Sequence, residues 1–272
     1  MPFQTVTVNS WNEIHGHVKD GWLYRGHRHF DWPLETSLER YCKRQNVQPG
    51  DIPRLERLIV REFRRAYHEF GKQSPADSAY MEWLALMQHH GAPTRILDFT
   101  YSLYVAAYFA LEDASGDAAV WAINPRWAVE HSSAAAMVAR KTGADTIGRR
   151  WHSTRDETIF ESLFIAPPPV RMACPLNPFL LNDRLRRQLG AFLVPGDVTC
   201  SFARNLEALP DHDRAENVYR LKLVATIKND ALRQLFLMNV TRASLFPGLD
   251  GYAQMLGIYH PLLANPSQWE DD

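Results

Sequence analysis

Two short runs carry the side chains best suited to chemistry, and each lies at the end of an apolar stretch beside glycine or proline. The first contains Arg25, Gly26 and His27, and the second extends from Gln88 to Thr100. At such positions a strand stops and its backbone can approach a ligand closely. An arginine there offers a planar fork that suits phosphate and carboxylate groups. We therefore expect a functional site at these two runs.

The same runs contain a carboxylate and several histidines, which suggest acid–base or metal chemistry. Asp98 is a candidate acid, although a structural ion pair with Arg95 explains its position equally well. The histidines are His27, His29, His89 and His90. They lack the close spacing of metal-binding motifs, so ordinary hydrogen-bonded histidines are expected and no metal site is predicted. A nuclease or other hydrolase that uses Asp98 with a nearby histidine ranks last among the hypotheses.

The composition indicates a globular domain. The chain has 272 residues, of which 46% are hydrophobic, enough to bury a large core in one domain. It shows no membrane span or signal peptide, so a cytoplasmic protein is expected. Its three cysteines lie outside any CxxC pair and are expected to be reduced thiols. The net charge of −1 argues against a globally basic nucleic-acid binder, yet only six of the 30 cationic residues are lysines.

Apolar periodicity predicts the elements that position these runs. Strands are predicted over 22–26, 94–99, 118–123 and 219–225, and helices over 51–70, 79–88, 101–112 and 230–237. One helix has an arginine-rich face that is expected to be solvated: Arg54, Arg57, Arg61, Arg64 and Arg65. Four aromatic residues are expected in the core: Trp22, Trp32, Trp83 and Phe99. The segment 244–251 is predicted to be a loop.

One stretch differs in composition from the rest of the domain. Residues 126–165 are rich in alanine, arginine and serine, and they include Lys141, Arg149 and Arg155. We interpret the stretch as an insertion on the surface. A solvated helical hairpin is favoured, and an arm that binds an anionic partner is the alternative.

Several spaced motifs together resemble the FRG-domain family, which is named for an aromatic-Arg-Gly signature. The motifs are Tyr24-Arg25-Gly26, Trp32-Pro33-Leu34 with Ser37, Leu38 and Arg40, the run from Gln88 to Thr100, the basic run from Arg184 to Phe192, and Ser244 to Gly251. They follow one another in order over about residues 20–255, and several ordered motifs are more specific than any single one. We therefore treat the chain as a single FRG domain.

The order of elements in turn resembles that of ADP-ribosyltransferases, which cleave NAD at its nicotinamide bond. This resemblance implies an α+β fold with a split sheet around a central cleft. It implies that Arg25 holds an NAD phosphate or orients the adenosine ribose, that Gly26 lets the dinucleotide approach, and that Thr100 occupies the superfamily's Ser or Thr position. The other residues expected at the NAD site are Tyr24, Thr94, Arg95, Asp98, Tyr104 and Tyr108.

The chain departs from that superfamily at the usual glutamate, where the corresponding motif presents Gln188. A glutamine can hydrogen-bond the ribose but cannot act as a base, so Glu161 or Glu157 is a candidate replacement. The resemblance implies an NAD-dependent transferase that modifies RNA, DNA or protein, as a bacterial toxin or phage-defence effector with a neutralising antitoxin. A non-catalytic module that binds a nucleotide or nucleic acid is the alternative. A Rossmann site and a P-loop are both unsupported, because neither glycine motif occurs.

Overall fold

The computed structural model describes residues 3–71, 74–140, 160–178, 183–260 and 263. Within these residues the strands are β1 (Gln4–Val8), β2 (Leu23–His27), β3 (Leu97–Thr100), β4 (Ala118–Ile123), β5 (Ala173–Leu176), β6 (Gly190–Pro195) and β7 (Val218–Leu223). The α-helices are α1 (Ser37–Arg44), α2 (Ile52–Tyr67), α3 (Tyr80–His89), α4 (Leu103–Leu111), α5 (Pro125–Arg140), α6 (Asp183–Arg187), α7 (Phe202–Glu207), α8 (Lys228–Leu237), α9 (Arg242–Leu245) and α10 (Leu249–Ile258). The fold mixes α and β elements, as the sequence predicts.

The described strands form one seven-stranded sheet in the order β1-β7-β4-β2-β3-β6-β5. Neighbours are antiparallel except β1 and β7, which are parallel. The sheet that was predicted to be split is thus one continuous hydrogen-bonded sheet among the described strands. However, β2 pairs with β4 over five residues and with β3 only through Tyr24 and Thr100. The two halves of the sheet thus meet at a junction of a single residue pair.

Each face of the sheet supports its own hydrophobic cluster. Alternate residues of a strand point to opposite faces, so Leu23 enters one cluster and Tyr24 enters the other. The first cluster includes residues of α2, α3 and α5, and the second includes residues of α4 and α8. The junction between β2 and β3 therefore lies between two packed layers of helix.

Helix α4 packs unusually close to β2. A Cβ atom added to Gly26 would lie 2.0 Å from the carbonyl oxygen of Ala106 and 2.6 Å from the backbone nitrogen of Ala110. The helix begins after Ser102, whose hydroxyl accepts a hydrogen bond from the Val105 N–H at 3.3 Å. Gly26 is thus required by the helix that packs on it, which differs from the predicted role of admitting a dinucleotide to the backbone.

The first part of the compositionally distinct stretch belongs to the core. Ala128, Ser132 and Ala136 lie one turn apart on α5 and are fully buried, and the Ser132 hydroxyl donates to the Ala173 carbonyl of β5 at 3.2 Å. This packing differs from a solvated hairpin. Residues 141–159, which include Lys141, Arg149 and Arg155, lie outside the described residues.

Two further predictions are settled by the described residues. The segment 244–251 contains the end of α9 and the start of α10 rather than a continuous loop, and Thr241 caps α9 through a reciprocal pair of hydrogen bonds with Ser244. The three cysteines are free.

In the described part of the chain, every helix is too short or too polar to cross a membrane.

Candidate functional site

A cleft of about 200 Å³ opens where β2 and β3 separate. Three residues that are far apart in sequence, Arg25, Thr100 and Gln188, all line it. They come from β2, the end of β3 and the residue after α6. The full lining is Tyr24, Arg25, Gly26, Asp98, Phe99, Thr100, Ala106, Phe109, Arg184 and Gln188. The cleft therefore combines the predicted residues with a second arginine and an aromatic side chain.

Arg25 spans the gap that opens beyond the single residue pair. Its Nη1 donates to the main-chain carbonyl of Asp98 at 2.6 Å and lies 4.0 Å from the Asp98 carboxylate. The side chain keeps 20% of its surface exposed, on the cleft side. Burial lowers the pKa of Arg25, and Asp98 opposes that effect. The guanidinium stays protonated because its ordinary pKa is far above neutrality, so it remains an anchored cation.

His27 orients Arg25 from the same strand. Its Nδ1 lies 3.3 Å from the Trp32 carbonyl and its Nε2 lies 3.2 Å from Nε of Arg25. Since Arg25 can only donate, Nε2 must accept and Nδ1 must carry the proton. Burial, followed by the charge of Arg25, lowers the pKa of His27 to about 3. The imidazole is therefore neutral and acts as a fixed acceptor that holds the guanidinium.

Asp98 is the carboxylate of this cleft. Its side chain is half-exposed, and its Oδ2 accepts a hydrogen bond from Nε2 of Gln88 at 2.7 Å. The Gln88 amide oxygen in turn accepts from the Thr94 hydroxyl. The predicted alternative, an ion pair with Arg95, does not form, because Arg95 pairs elsewhere. Asp98 is thus oriented by an amide and a cation while one face stays open to the cleft.

Thr100 and Gln188 are joined to each other across the cleft wall. The Thr100 hydroxyl donates to the Gln188 carbonyl at 2.6 Å and accepts from the Ser102 N–H at 3.0 Å. The side-chain Nε2 of Gln188 donates to the Leu245 carbonyl at 3.2 Å. Thr100 therefore anchors the turn that carries Gln188. The Gln188 amide keeps its oxygen and a second N–H for a ligand.

Arg184 supplies a second cation that the sequence-based site did not include. It lines the cleft, and its guanidinium lies 4.7 Å from the ring centroid of Phe246. Among the described residues it forms no ion pair. Burial lowers its pKa, and Asp98 opposes the effect. A half-buried arginine held by an aromatic ring, without its own carboxylate, is an attractive partner for an anionic ligand.

A larger cavity of about 590 Å³ adjoins the cleft and shares Arg25, Gly26 and Phe109 with it. Trp32 lines this cavity and is 42% exposed, so the prediction that it belongs to the core is wrong. Arg28 lies 5.0 Å from its ring. The nearby apolar residues Phe30, Pro33 and Leu34 favoured a core position for Trp32, but its ring lies at the surface. An exposed ring beside a cation suits a planar aromatic ligand.

Comparison with known protein families gives a match to one part of the chain. Residues 20–118 match the FRG domain. The sequence resemblance to the FRG-domain family is therefore confirmed over residues 20–118. No curated protein and no solved structure gave a significant match. The matched part of the FRG domain carries Arg25, Asp98 and Thr100, whereas Arg184 and Gln188 follow it in the chain.

Two of the predicted site residues of the FRG domain are structural and lie outside the cleft. Arg95 is 2% exposed and forms a buried bidentate ion pair with Glu56 of α2, with Nε donating to Oε1 at 2.6 Å. Its Nη1 donates to the Phe164 carbonyl. Thr94 is fully buried and exchanges hydrogen bonds with Ser37 at the start of α1. Both residues hold helices of the FRG domain onto β3.

The tyrosines of α4 also point away from the cleft. The Tyr104 hydroxyl lies 2.9 Å from Nδ1 of His15. Tyr108 is 3% exposed, and burial followed by the charge of Glu112 raises its pKa. Tyr24 contributes to the cleft wall, but its fully buried hydroxyl bonds the backbone of Lys19. These rings therefore pack the second core cluster.

Other acidic residues do not replace Asp98 in the cleft. Glu161 is exposed on a short π-helical turn and lines neither cavity, and Glu157 lies outside the described residues. Glu112 lines the larger cavity, but its carboxylate pairs with Arg242 at 2.8 Å, and burial raises its pKa. Within the described residues, no three His, Cys, Asp or Glu side chains group in a metal-binding arrangement.

Sequence reasoning missed Gln88, Phe109 and Arg184 as members of the site. Gln88 and Arg184 belong to motifs of the resemblance, so their position was signalled but their role was not. Phe109 had no such signal, because it lies on a helix whose other residues are mostly apolar.

Proposed function

We propose that the cleft binds NAD and that the protein transfers ADP-ribose from it to an acceptor. The observation that carries the proposal is the convergence of Arg25, Thr100 and Gln188 in one cleft, at the junction between the two halves of the sheet. The resemblance assigns the same three positions to NAD recognition. The resemblance also predicts that the acceptor is RNA, DNA or protein and that an antitoxin neutralises the protein.

Charge and size support a dinucleotide as the ligand. Arg25 and Arg184 place two guanidinium groups around a cleft whose carboxylate is Asp98. A pyrophosphate carries two negative charges and accepts bidentate hydrogen bonds from arginine. The cleft and the adjoining cavity together reach the size of ordinary ligand pockets. In this arrangement the arginines bind the pyrophosphate and the exposed ring of Trp32 stacks on the adenine.

The transfer forms a bond between the acceptor nucleophile and C1 of the nicotinamide-side ribose. The bond from that carbon to the nicotinamide nitrogen breaks, and its electron pair leaves with nicotinamide. Positive charge grows on the ribose ring, as in glycoside cleavage. In this proposal Asp98, the carboxylate that lines the cleft, stabilises that charge and accepts the proton of the nucleophile. Gln88 fixes the carboxylate, and the Gln188 amide oxygen binds a ribose hydroxyl.

The test uses NAD labelled on its adenylate phosphate, incubated with the protein and with RNA, DNA or cell lysate. Wild type is expected to release nicotinamide and label one acceptor class, and Arg25→Ala is expected to do neither while melting cooperatively. Arg214→Ala, an exposed arginine outside the cleft, removes the same charge and should behave as wild type. Equal activity of Arg25→Ala and wild type would refute the assignment.

One observation favours a second candidate, a module that binds a nucleotide without cleaving it. The superfamily glutamate is replaced by Gln188, and the Thr100 hydroxyl is already committed to two internal hydrogen bonds. In that case calorimetry detects NAD binding that Arg25→Ala abolishes, and no nicotinamide is released from wild type.

A further inference from the structure

A separate groove lies along α2 and shares no lining residue with the cleft. It has a volume of about 370 Å³ and is lined by Arg57, Val60, Arg61, Arg64, Arg65, Asp77 and Tyr80. The sequence predicts the arginines as a solvated face, but the structure arranges four of them around a concave surface. We call this surface the arginine groove.

The arginine groove keeps an excess of positive charge. Arg61 and Arg65 share Glu62, at 2.8 and 3.0 Å, and Arg64 pairs with Asp77 at 2.6 Å. Arg57 forms no ion pair among the described residues. Four guanidinium groups are thus balanced by two carboxylates. Those carboxylates are mostly exposed, and exposed pairs contribute little stability, so a polyanion can displace them at low cost.

Two features point to a ligand rather than to a merely solvated face. Arg64 is 26% exposed and lies 5.2 Å from the ring of Trp83, so its guanidinium is fixed beside the groove. Tyr80 lines the groove, is 7% exposed, and its hydroxyl has no hydrogen-bond partner in the described part of the chain. An unpaired buried donor is costly unless something bonds it.

Helix α3 connects the arginine groove to the cleft. Tyr80 begins the helix, and Gln88, which holds Asp98, lies eight residues later, about two turns along it. Eight residues of helix span about 12 Å. A nucleic-acid strand rises about 3.4 Å per nucleotide, so about four nucleotides cover this distance. A strand bound in the groove can therefore present a nearby nucleotide to the cleft.

We propose that the arginine groove binds the sugar–phosphate backbone of a single-stranded nucleic acid and so selects nucleic acid as the acceptor. The role as acceptor site rests on the proposed function, whereas the binding itself does not. Arginine favours phosphate because its planar fork pairs with two phosphate oxygens. The contacts reach backbone groups and not base edges, so binding is expected to be insensitive to sequence and sensitive to salt.

The experiment measures fluorescence anisotropy of labelled RNA and DNA strands of about 20 nucleotides and equal sequence, without NAD, from about 50 to 200 mM salt. The test variant is Arg57→Ala with Arg65→Ala, since both side chains are exposed. The control is Arg204→Ala with Arg233→Ala, which removes two exposed arginines elsewhere. Thermal melts verify that every protein is folded.

We expect the groove variant to bind the strands about tenfold more weakly than wild type. The slope of log affinity against log salt concentration should decrease by the amount that corresponds to about one to two phosphate contacts. The control should match wild type within about twofold. Comparison of the RNA and DNA strands identifies the acceptor. Equal affinity of the two double variants for the strands overturns the proposal. Displacement of the bound strand by polyglutamate at equal charge concentration also overturns it, because that result indicates an acidic protein as the partner of the groove.

A second measurement separates the two proposals. With labelled NAD and the preferred strand, the groove variant should lose label transfer but still release nicotinamide without acceptor. A wild-type protein that binds the strand in a groove-dependent manner and never consumes NAD refutes the transferase and leaves the groove intact. Transfer that survives in the groove variant refutes the groove as the acceptor site.

Discussion

The substitution Gly26→Ala distinguishes a packing role from a ligand role for the glycine of the signature motif. In the structure, helix α4 crosses β2 at this residue. The added Cβ would lie 2.0 Å from the Ala106 oxygen and 2.6 Å from the Ala110 nitrogen. Both are main-chain atoms of one helix, so no side-chain rotation relieves the contact.

The cost can be worked from these distances. Ordinary contacts to a Cβ exceed about 3.4 Å, so helix and strand must separate by about 1 Å or more, which loosens the second core cluster. Overpacking of this kind costs about 1 to 3 kcal/mol, and a backbone-to-backbone clash belongs at the upper end. A loss of about 3 kcal/mol lowers the melting temperature by about 5 °C for a chain of 272 residues.

The assay is thermal and urea unfolding of wild type, Gly26→Ala and Gly16→Ala. Gly16 is the matched control, because a Cβ there meets nothing within 4 Å. We expect Gly16→Ala to melt at or slightly above the wild-type temperature. Since the wall of the cleft moves with α4, NAD binding should weaken together with stability in Gly26→Ala.

The reasoning is refuted if Gly26→Ala retains wild-type stability and loses only ligand binding. That outcome would show that Gly26 serves the approach of a ligand to the backbone, as the sequence resemblance implies. A stable variant with full binding would mean that α4 and β2 do not pack as described.

Two further perturbations test the contacts that support the site. Glu56→Gln leaves Arg95 buried without its carboxylate, so the free energy of unfolding measured by urea titration should fall by about 3 to 5 kcal/mol. A decrease of less than about 1 kcal/mol would contradict the buried ion pair. His27 has a pKa of about 3 in the folded protein and an ordinary pKa near 6.5 in the unfolded chain. Between these two pH values the unfolded state binds more protons than the folded state, so stability falls as the pH drops. Between pH 6.5 and 5 the free energy of unfolding of wild type should fall by up to about 2 kcal/mol more than that of His27→Gln, as measured by urea titration at each pH. If the free energies of unfolding of the two proteins change in parallel with pH, the result would count against a neutral His27.

The sequence predicted the local elements well because periodicity and turn residues act over short distances. The strand over 118–123 agrees with β4 in full, and the helix over 79–88 agrees with α3 to within one residue. The strand predicted over 94–99 is shifted, since β3 is Leu97–Thr100. Thr94 and Arg95 bond to α1 and α2 instead of a neighbouring strand.

The sequence by itself determined which residue types stand in β2 and β3, among them Arg25, Asp98 and Thr100. The pairing of β2 with β3 in the sheet brought these three residues together. Only the tertiary structure decided which charges remain free for a ligand. Glu56 lies 39 positions from Arg95 and neutralises it, whereas Arg184 comes from a distant segment and forms no ion pair among the residues that the structure describes. Charge pairing depends on distances of a few ångströms between elements, and no local pattern along the chain encodes them.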